Sequence, residues 1–257
     1  MTRPEFGWKK RWRVLIKAAL VPLTLALALT GCSTATVAPA SKKLPIYCVA
    51  RDDNKLAISF DAAWGTEYTG EILDILDEYN IKTTFFVVQF WVEKYPEVAR
   101  EIIRRGHELG NHSSTHPEMG NLSPGAIQEE VMGAHRAIKE VTGYEPILFR
   151  PPFGHYSPAM LEVIEGMGYY VIQWDVDSLD WKERGVDDVV ARVTAQAGPG
   201  SIILFHNNAK YITQALPLIL DDFRRRNLEV VPISQLIYTE DYYIDHEGRQ
   251  HKKSSGP

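Results

Sequence analysis

Apolar positions along the chain recur in two alternating rhythms: short β-branched or aromatic runs, and longer stretches with apolar residues at helical spacing. Residues 45–50 and 56–60 are apolar runs on either side of Asp52-Asp53-Asn54, which predicts an opening hairpin. Ile72, Leu73, Ile75 and Leu76 set a helix over 67–79, and the dense run 83–88 predicts a buried strand. A helix over 92–105 ends at Gly106, and a short strand over 107–111 follows. Ser123-Pro124 has the form of an N-cap followed by proline at the first helical position, opening a helix to Thr142. A strand at 147–149, a helix from Ser157-Pro158 to Met167 and a strand at 169–174 come next. The pattern then gives a helix over 186–197, a strand over 201–205, a helix over 212–226, a strand at 229–231 and a last helix at 233–238. Repeated strand–helix units imply a parallel sheet covered by helices. Pattern alone allows a barrel or an open doubly wound sheet, and in both the sites lie at the C-terminal ends of the strands.

The N-terminal segment falls outside this rhythm. Lys9, Lys10, Arg11 and Arg13 precede an apolar run over 18–29 that is shorter than the ~20 residues a spanning helix needs. It ends in Leu29-Thr30-Gly31-Cys32, which resembles a bacterial lipobox and implies lipidation of Cys32. An uncleaved anchor and an ordinary secretory signal are the alternatives, and all three put the domain outside the cytoplasm. The expected organisation is a signal peptide at 1–31, a polar linker at 32–43, one α/β domain at 44–239 and a polar tail at 240–257 that frays. The chain has two cysteines, so with Cys32 lipidated Cys48 has no partner and no disulfide framework supports the fold. A composition of 45% hydrophobic and 24% charged residues is globular. A net charge of −5 argues against nucleic acid as a partner. A monomer is expected.

Chemistry collects where strands end. Asp61 ends one strand, His112 and His116 follow a second, Arg150 a third, Asp177 and Asp180-Trp181 a fourth, and His206 a fifth. Each has an ordinary reading alone: Asp61 a helix cap, Arg150 a structural ion pair, Asp180 a turn cap, His206 a satisfied core histidine. Their recurrence at strand ends points to a catalytic site. His112 and His116 stand four residues apart in Gly110-Asn111-His112-Ser113-Ser114-Thr115-His116-Pro117, a loop able to aim two imidazoles at one divalent metal.

These motifs resemble those of the polysaccharide deacetylases, carbohydrate esterase family 4 (the NodB-homology domain), over about residues 45–238. Ser59-Phe60-Asp61-Ala62-Ala63-Trp64-Gly65 is similar to the family's Thr-Phe-Asp-Asp-Gly motif. His112-Ser113-Ser114-Thr115-His116 matches its His-Ser/Thr-x-x-His motif, and Arg150-Pro151-Pro152-Phe153 is close to Arg-x-Pro-Tyr. Asp177-Ser178-Leu179-Asp180-Trp181 and Leu204-Phe205-His206 match Asp-x-x-Asp-Trp and Leu-x-His. The resemblance implies a distorted, incomplete (β/α) barrel of one domain. It implies one divalent metal ion on His112 and His116, with zinc expected and cobalt or manganese as alternatives. It implies Asp61 as general base, Arg150 as its partner, His206 as general acid and Asp180 as the partner of His206. The Phe153 backbone N–H is the implied oxyanion donor. The resemblance also implies that Trp181 and Leu204 line the acetyl pocket, and Pro152 and Trp64 are counted with the expected substrate-binding residues.

One position departs from the family. Its second aspartate, normally a metal ligand, is Ala62 here. Glu67 is the nearest replacement carboxylate in sequence. The expected function is metal-dependent removal of N-acetyl groups from a cell-wall glycan, in the first place peptidoglycan, by a protein tethered to the membrane. A catalytically impaired glycan-binding relative is the main alternative because of Ala62. An esterase on O-acetylated polysaccharide is the weaker one. The Asp-Ala-Ala-Trp-Gly variant also resembles some sporulation-type cell-wall deacetylases.

Overall fold

The apolar run at 56–60 becomes an interior strand of the main sheet, with a parallel neighbour on each side. The computed structural model describes residues 43–253, so the expected signal peptide, the lipidated Cys32 and most of the linker lie outside the described residues. The chain runs through β1 (Cys48–Val49), β2 (Lys55–Ala62), α1 (Thr69–Glu78), β3 (Thr84–Val87), α2 (Gln89–Lys94), α3 (Pro96–Arg104) and β4 (Glu108–Asn111). It continues through α4 (Pro124–Thr142), β5 (Leu148–Phe149), α5 (Pro158–Gly166), β6 (Tyr170–Val171), β7 (Val176–Asp177) and α6 (Val186–Gln196). The last elements are β8 (Ile202–His206), α7 (Ile212–Arg225), β9 (Glu229–Val230), α8 (Ile233–Leu236), β10 (Tyr242–Ile244) and β11 (Arg249–Lys252).

The main sheet has the order β6-β5-β4-β3-β2-β8-β7, with β9 pairing the start of β2, and its ladders are parallel. Strand alternation divides β2 cleanly. Leu56, Ile58, Phe60 and Ala62 pack with the helix-side cluster, which includes Ile72, Leu76, Val87, Ile102, Leu216 and Phe223. Ala57 packs with Phe86, Ile202 and Ile233 on the inner side. Ser59 and Asp61 share that inner face and are buried polar residues. A β-carbon on Gly110 of β4 would lie 2.3 Å from the Phe86 ring, so the missing side chain there makes room for an aromatic inside the sheet's curve.

The sheet curls into an incomplete barrel, as the motifs imply. β6 and β7 lie at opposite ends of the strand order, yet only residues 172–175 separate them in the chain. Such a link reaches roughly 17 Å, so the two ends of the sheet must approach each other. Residues just before β1 fill the gap: the Ile46 N–H donates to Val171 O at 2.9 Å and the Gln173 N–H to Ile46 O at 2.7 Å. On the other side the Val49 N–H donates to Gly200 O at 2.9 Å.

Four local expectations are corrected. The opening hairpin does not form: β1 pairs in parallel with β11, while β2 joins the main sheet. Arg51 bonds Asp53 and the carbonyl of Leu236, which turns the Asp52-Asp53-Asn54 corner away from a two-strand return. The helix over 92–105 is two helices, because Pro96 starts a new one and Tyr95 takes φ −126° and ψ 55°. The strand at 169–174 is cut to Tyr170–Val171, and a separate β7 carries Asp177. The 240–257 segment, expected to fray, contains β10 and β11, which form a three-stranded sheet with β1.

Gln250 anchors that small sheet. It is fully buried, accepts from the Tyr238 N–H at 2.8 Å and donates to the Tyr238 carbonyl at 2.6 Å. Gln250→Ala leaves both groups without that partner and is expected to cost about 1–3 kcal/mol. The measurement is a lower urea midpoint with an unchanged denaturant slope.

Candidate active site

Asp61 and His206 are register partners on adjacent parallel strands, β2 and β8. Both stand at the C-terminal end of the sheet, where backbone pairing stops and side chains reach the cleft. Arg150 follows β5 and is fully buried. Its guanidinium donates to Asp61 Oδ1 at 2.8 Å, to Ser59 Oγ at 2.8 Å and to the Gln173 carbonyl at 3.1 Å. It also lies over the Phe86 ring at 4.1 Å. Burial penalises the Asp61 charge. The Arg150 charge and hydrogen bond, with the His206 charge, outweigh that penalty and hold the carboxyl below the usual carboxylate range.

The histidine loop leaves β4. His112 Nδ1 donates to the Arg150 carbonyl at 2.7 Å, which leaves Nε2 as the unprotonated nitrogen, 3.5 Å from Asp61 Oδ2. Arg150 thus orients the first histidine through its backbone and the carboxylate through its side chain. The His116 ring lies 5.0 Å from His112, 5.0 Å from Trp64 and 4.6 Å from Phe153, each edge-on. Burial, followed by the neighbouring His112, pushes the His116 ring down to about 4, and burial lowers His112 as well. Both imidazoles are therefore neutral and available as ligands at neutral pH. Ser113, His116, Phe153 and Leu179 take positive φ, so three of the loops at the strand ends hold side-chain-bearing residues in strained conformations.

Asp180 opens a single turn after β7 and is buried. Its Oδ1 accepts from His206 Nδ1 at 2.7 Å and from the Trp181 N–H at 2.8 Å, while Oδ2 accepts from the His206 N–H at 2.8 Å. His206 Nε2 is left for the cleft. Burial favours the neutral ring, but the Asp180 hydrogen bond and charge, with Asp61 and Asp177, raise its pKa above the ordinary histidine value.

A cleft of about 580 Å³ joins these groups. Asp61, His112, His116, Phe153, Asp177, Trp181, Leu204, His206 and Trp64 line it, so nine of the residues singled out in the sequence meet in one place. Trp64 is 56% exposed, Phe153 67% and Trp181 57%, which gives the rim three aromatic surfaces open to a ligand. The turn carrying Trp64 is pinned by Trp91 Nε1 and Asn207 Nδ2, both donating to the Gly65 carbonyl.

The chain matches the polysaccharide deacetylase family model over residues 49–172. It is 32% identical over 198 residues to a peptidoglycan-N-acetylglucosamine deacetylase of Listeria monocytogenes, covering 77% of this chain and 42% of that protein. A peptidoglycan-N-acetylglucosamine deacetylase of Bacillus cereus is 30% identical over 194 residues, covering 74% of this chain and 91% of the relative. The chain belongs to the polysaccharide deacetylase family. Among solved structures, a pseudoenzyme of the same carbohydrate esterase family from Bacillus anthracis superposes with a TM-score of 0.73 at 30% identity, covering 81% of this chain and 73% of that one. A mutant of that protein with restored enzymatic activity superposes equally well, at 0.73. The chain spans less than half the length of the Listeria relative.

Some expected contributors of this deacetylase-family site lie elsewhere. Pro152 is buried and is not among the lining residues. Glu67 folds back on the turn, its carboxylate beside Gly65, and does not line the cleft either. It is therefore no replacement for the missing aspartate. Ala62 is fully buried and packs in the helix-side cluster, and the lining passes from Asp61 to Ala63 without it. Sequence reading missed Trp174, Ala63 and Asn208 of the lining, and Ser59 and Gln173 behind Arg150. Ser59 had a signal: it alternates with Asp61 on the inward face of β2.

Two neutral imidazoles, one with its Nε2 directed by a backbone hydrogen bond, suit a divalent cation in donor chemistry and protonation. Among the described residues, no group of three or more His, Cys, Asp or Glu side chains is arranged to hold a metal ion. The pair thus fits the family's metal with one anionic ligand fewer than the family pattern supplies.

Proposed function

We propose that the chain is a metal-dependent deacetylase that removes N-acetyl groups from a cell-wall glycan, with peptidoglycan as the substrate. One observation supports this above the rest. Asp61 and His206 stand side by side on neighbouring strands, each held by its own buried partner, and both face the same cleft. His112 and His116 would hold the divalent ion, for which zinc suits the imidazole pair; when bound it polarises the amide carbonyl and acidifies water. Asp61, kept ionised by Arg150, takes the proton of the attacking water. His206 Nε2–H gives a proton to the departing amine, so the C–N bond breaks to acetate and a free amino sugar. Asp180 holds the imidazole ring for that transfer. Trp64, Phe153 and Trp181 offer flat apolar faces to sugar rings, and Leu204 adds an apolar wall beside them.

The same proposal places the domain outside the cytoplasm as a monomer, tethered through a lipid on Cys32 and the 32–43 linker beside the wall. Peptidoglycan is then within reach of the cleft, and nucleic acid is not a partner. The named substrates of the Listeria and Bacillus cereus relatives support that choice of glycan.

The test measures acetate released from N-acetylglucosamine oligomers and from peptidoglycan, with and without added Zn²⁺ or Co²⁺. Wild type is expected to respond to metal, and Asp61→Asn to lose on the order of 100-fold. Equal release by the two proteins would remove Asp61 as base. A second reading has its own support: Ala62 lies where the family places a carboxylate, and the Bacillus anthracis relative is a pseudoenzyme. Its mark is glycan binding with the same negligible acetate from wild type and Asp61→Asn at saturating metal.

A further inference from the structure

The loop that carries the two histidines is held from outside the cleft. Ser113 and His116 both take left-handed backbone conformations, at φ 72° and 61°, which side-chain-bearing residues keep only when neighbours impose them. Within the loop, the Ser113 N–H donates to Asn111 Oδ1 at 2.9 Å and the His116 N–H to Ser113 Oγ at 3.0 Å. The stronger constraint comes from α4. Glu130 Oε2 accepts from the N–H groups of Ser114 at 2.9 Å and Thr115 at 2.8 Å. Glu130 Oε1 accepts from Thr115 Oγ1 at 2.7 Å, and the Glu130 carbonyl accepts from Ser114 Oγ at 2.9 Å. One residue thus receives four hydrogen bonds from the two residues that precede His116.

A second observation on α4 is independent of that carboxylate. Gly133 lies one turn beyond Glu130, on the same side of the helix. A β-carbon there would come within 2.1 Å of Ser114 Oγ and 2.5 Å of Gln89 Oε1. The Ser114 and Gln89 side chains thus occupy the space a β-carbon on Gly133 would take, and the Gln89 N–H ties the loop to α2 by donating to the Ser113 carbonyl at 3.1 Å.

We infer that Glu130 and Gly133 form a cradle on α4 that sets the position of His116 relative to His112, making Glu130 a positioning residue for the imidazole pair. The cradle fixes the backbone up to Thr115, and the side chain that follows is the second imidazole. With one carboxylate fewer than the family pattern, this chain depends more on that placement. The functional part of the inference rests on the reading of the two histidines as the metal pair. The cradle itself does not.

The test uses E130A, E130Q and G133A, with two readouts. The first is amide hydrogen exchange of Ser114 and Thr115 in metal-free protein, with the β2 amides as internal reference. The second is Zn²⁺ affinity by titration calorimetry. E130A is expected to speed exchange at both loop amides while the β2 amides stay protected, and to weaken Zn²⁺ binding by about 10- to 100-fold. G133A, whose β-carbon displaces Ser114 Oγ from its bond to the Glu130 carbonyl, is expected to do the same. E130Q is expected to stay near wild type, because its amide oxygen accepts from both N–H groups and its NH₂ donates to Thr115 Oγ1. Wild-type exchange at Ser114 and Thr115 in both E130A and G133A would overturn the cradle. So would an E130Q as impaired as E130A, because charge rather than shape would then be at work. If wild type binds no Zn²⁺, the metal reading of the proposed function fails, and the exchange rates alone decide the cradle.

Discussion

Arg150→Met is expected to destabilise the domain by about 3–5 kcal/mol, the usual cost of stranding one partner of a buried ion pair. Methionine fills much of the arginine's length but cannot donate. Asp61 Oδ1, Ser59 Oγ and the Gln173 carbonyl all lose a donor inside the barrel. The cost depends on pH. In wild type the Asp61 carboxyl is held below its ordinary value, so its contribution to stability is present above the unfolded carboxylate pKa and is lost as pH falls through the lowered one. In the variant the main attractive charge is gone and burial dominates, which pushes the same carboxyl upward. The gap between wild type and variant should therefore widen from acidic to neutral pH. Urea unfolding at the two ends of that range measures it, and a gap that stays constant would show that Asp61 is not the source. Adding Asp61→Asn to Arg150→Met should recover part of the loss, since two missing charges cost less than one stranded charge. Acetate release falls in every one of these proteins.

The pattern of apolar runs places β2, β3, β4 and β8 and, apart from the break at Pro96, the helices beside them, because each of these strands is a local run of four to eight mostly buried residues. The same pattern singles out Asp61, His112, Arg150, Asp180 and His206, because each sits at or shortly past a strand end. Three of the four differences share one physical cause: they depend on which segments meet in space. β7 is two residues long, and what makes it a strand is the edge of β8, to which Val176 and Asp177 pair. The 240–257 segment reads as polar because Gln250, His251 and Lys252 bear no apolar rhythm, yet β11 has β1 on one side and β10 on the other. Asp52-Asp53-Asn54 has turn composition and does turn the chain, but composition is silent on the partner, and β1 went to the small sheet. The break at Pro96 is different, because it is local: a proline at the first position of α3 ends the helix before it. Glu130 carries no mark in sequence that separates it from Glu129. Only the approach of the loop to α4 distinguishes them.

Asp180→Asn is expected to lower acetate release by up to about 10⁴-fold, the loss seen when a buried carboxylate behind a catalytic histidine is made neutral. Three N–H groups point at Asp180: the His206 ring, the His206 backbone and the Trp181 backbone. A carboxylate accepts from all three, whereas a carboxamide must turn its NH₂ toward at least one donor. The ring then loses both its fixed orientation and the charge that keeps it protonated. In wild type burial works against the His206 proton, and the Asp180 bond and charge outweigh it, raising the pKa. Without that charge, burial opposes only the more distant Asp61 and Asp177, and the ring gives up its proton at lower pH. The alkaline limb of kcat/KM should therefore move toward lower pH in the variant, in addition to the loss of rate. Stability follows the same sign. The His206–Asp180 contribution is complete below the unfolded histidine pKa and disappears as pH rises through the raised one. The stability gap between wild type and variant should thus narrow at alkaline pH, opposite to the trend expected for Arg150→Met. A variant whose rate falls while its alkaline limb stays in place would show that Asp180 orients the ring without setting its proton.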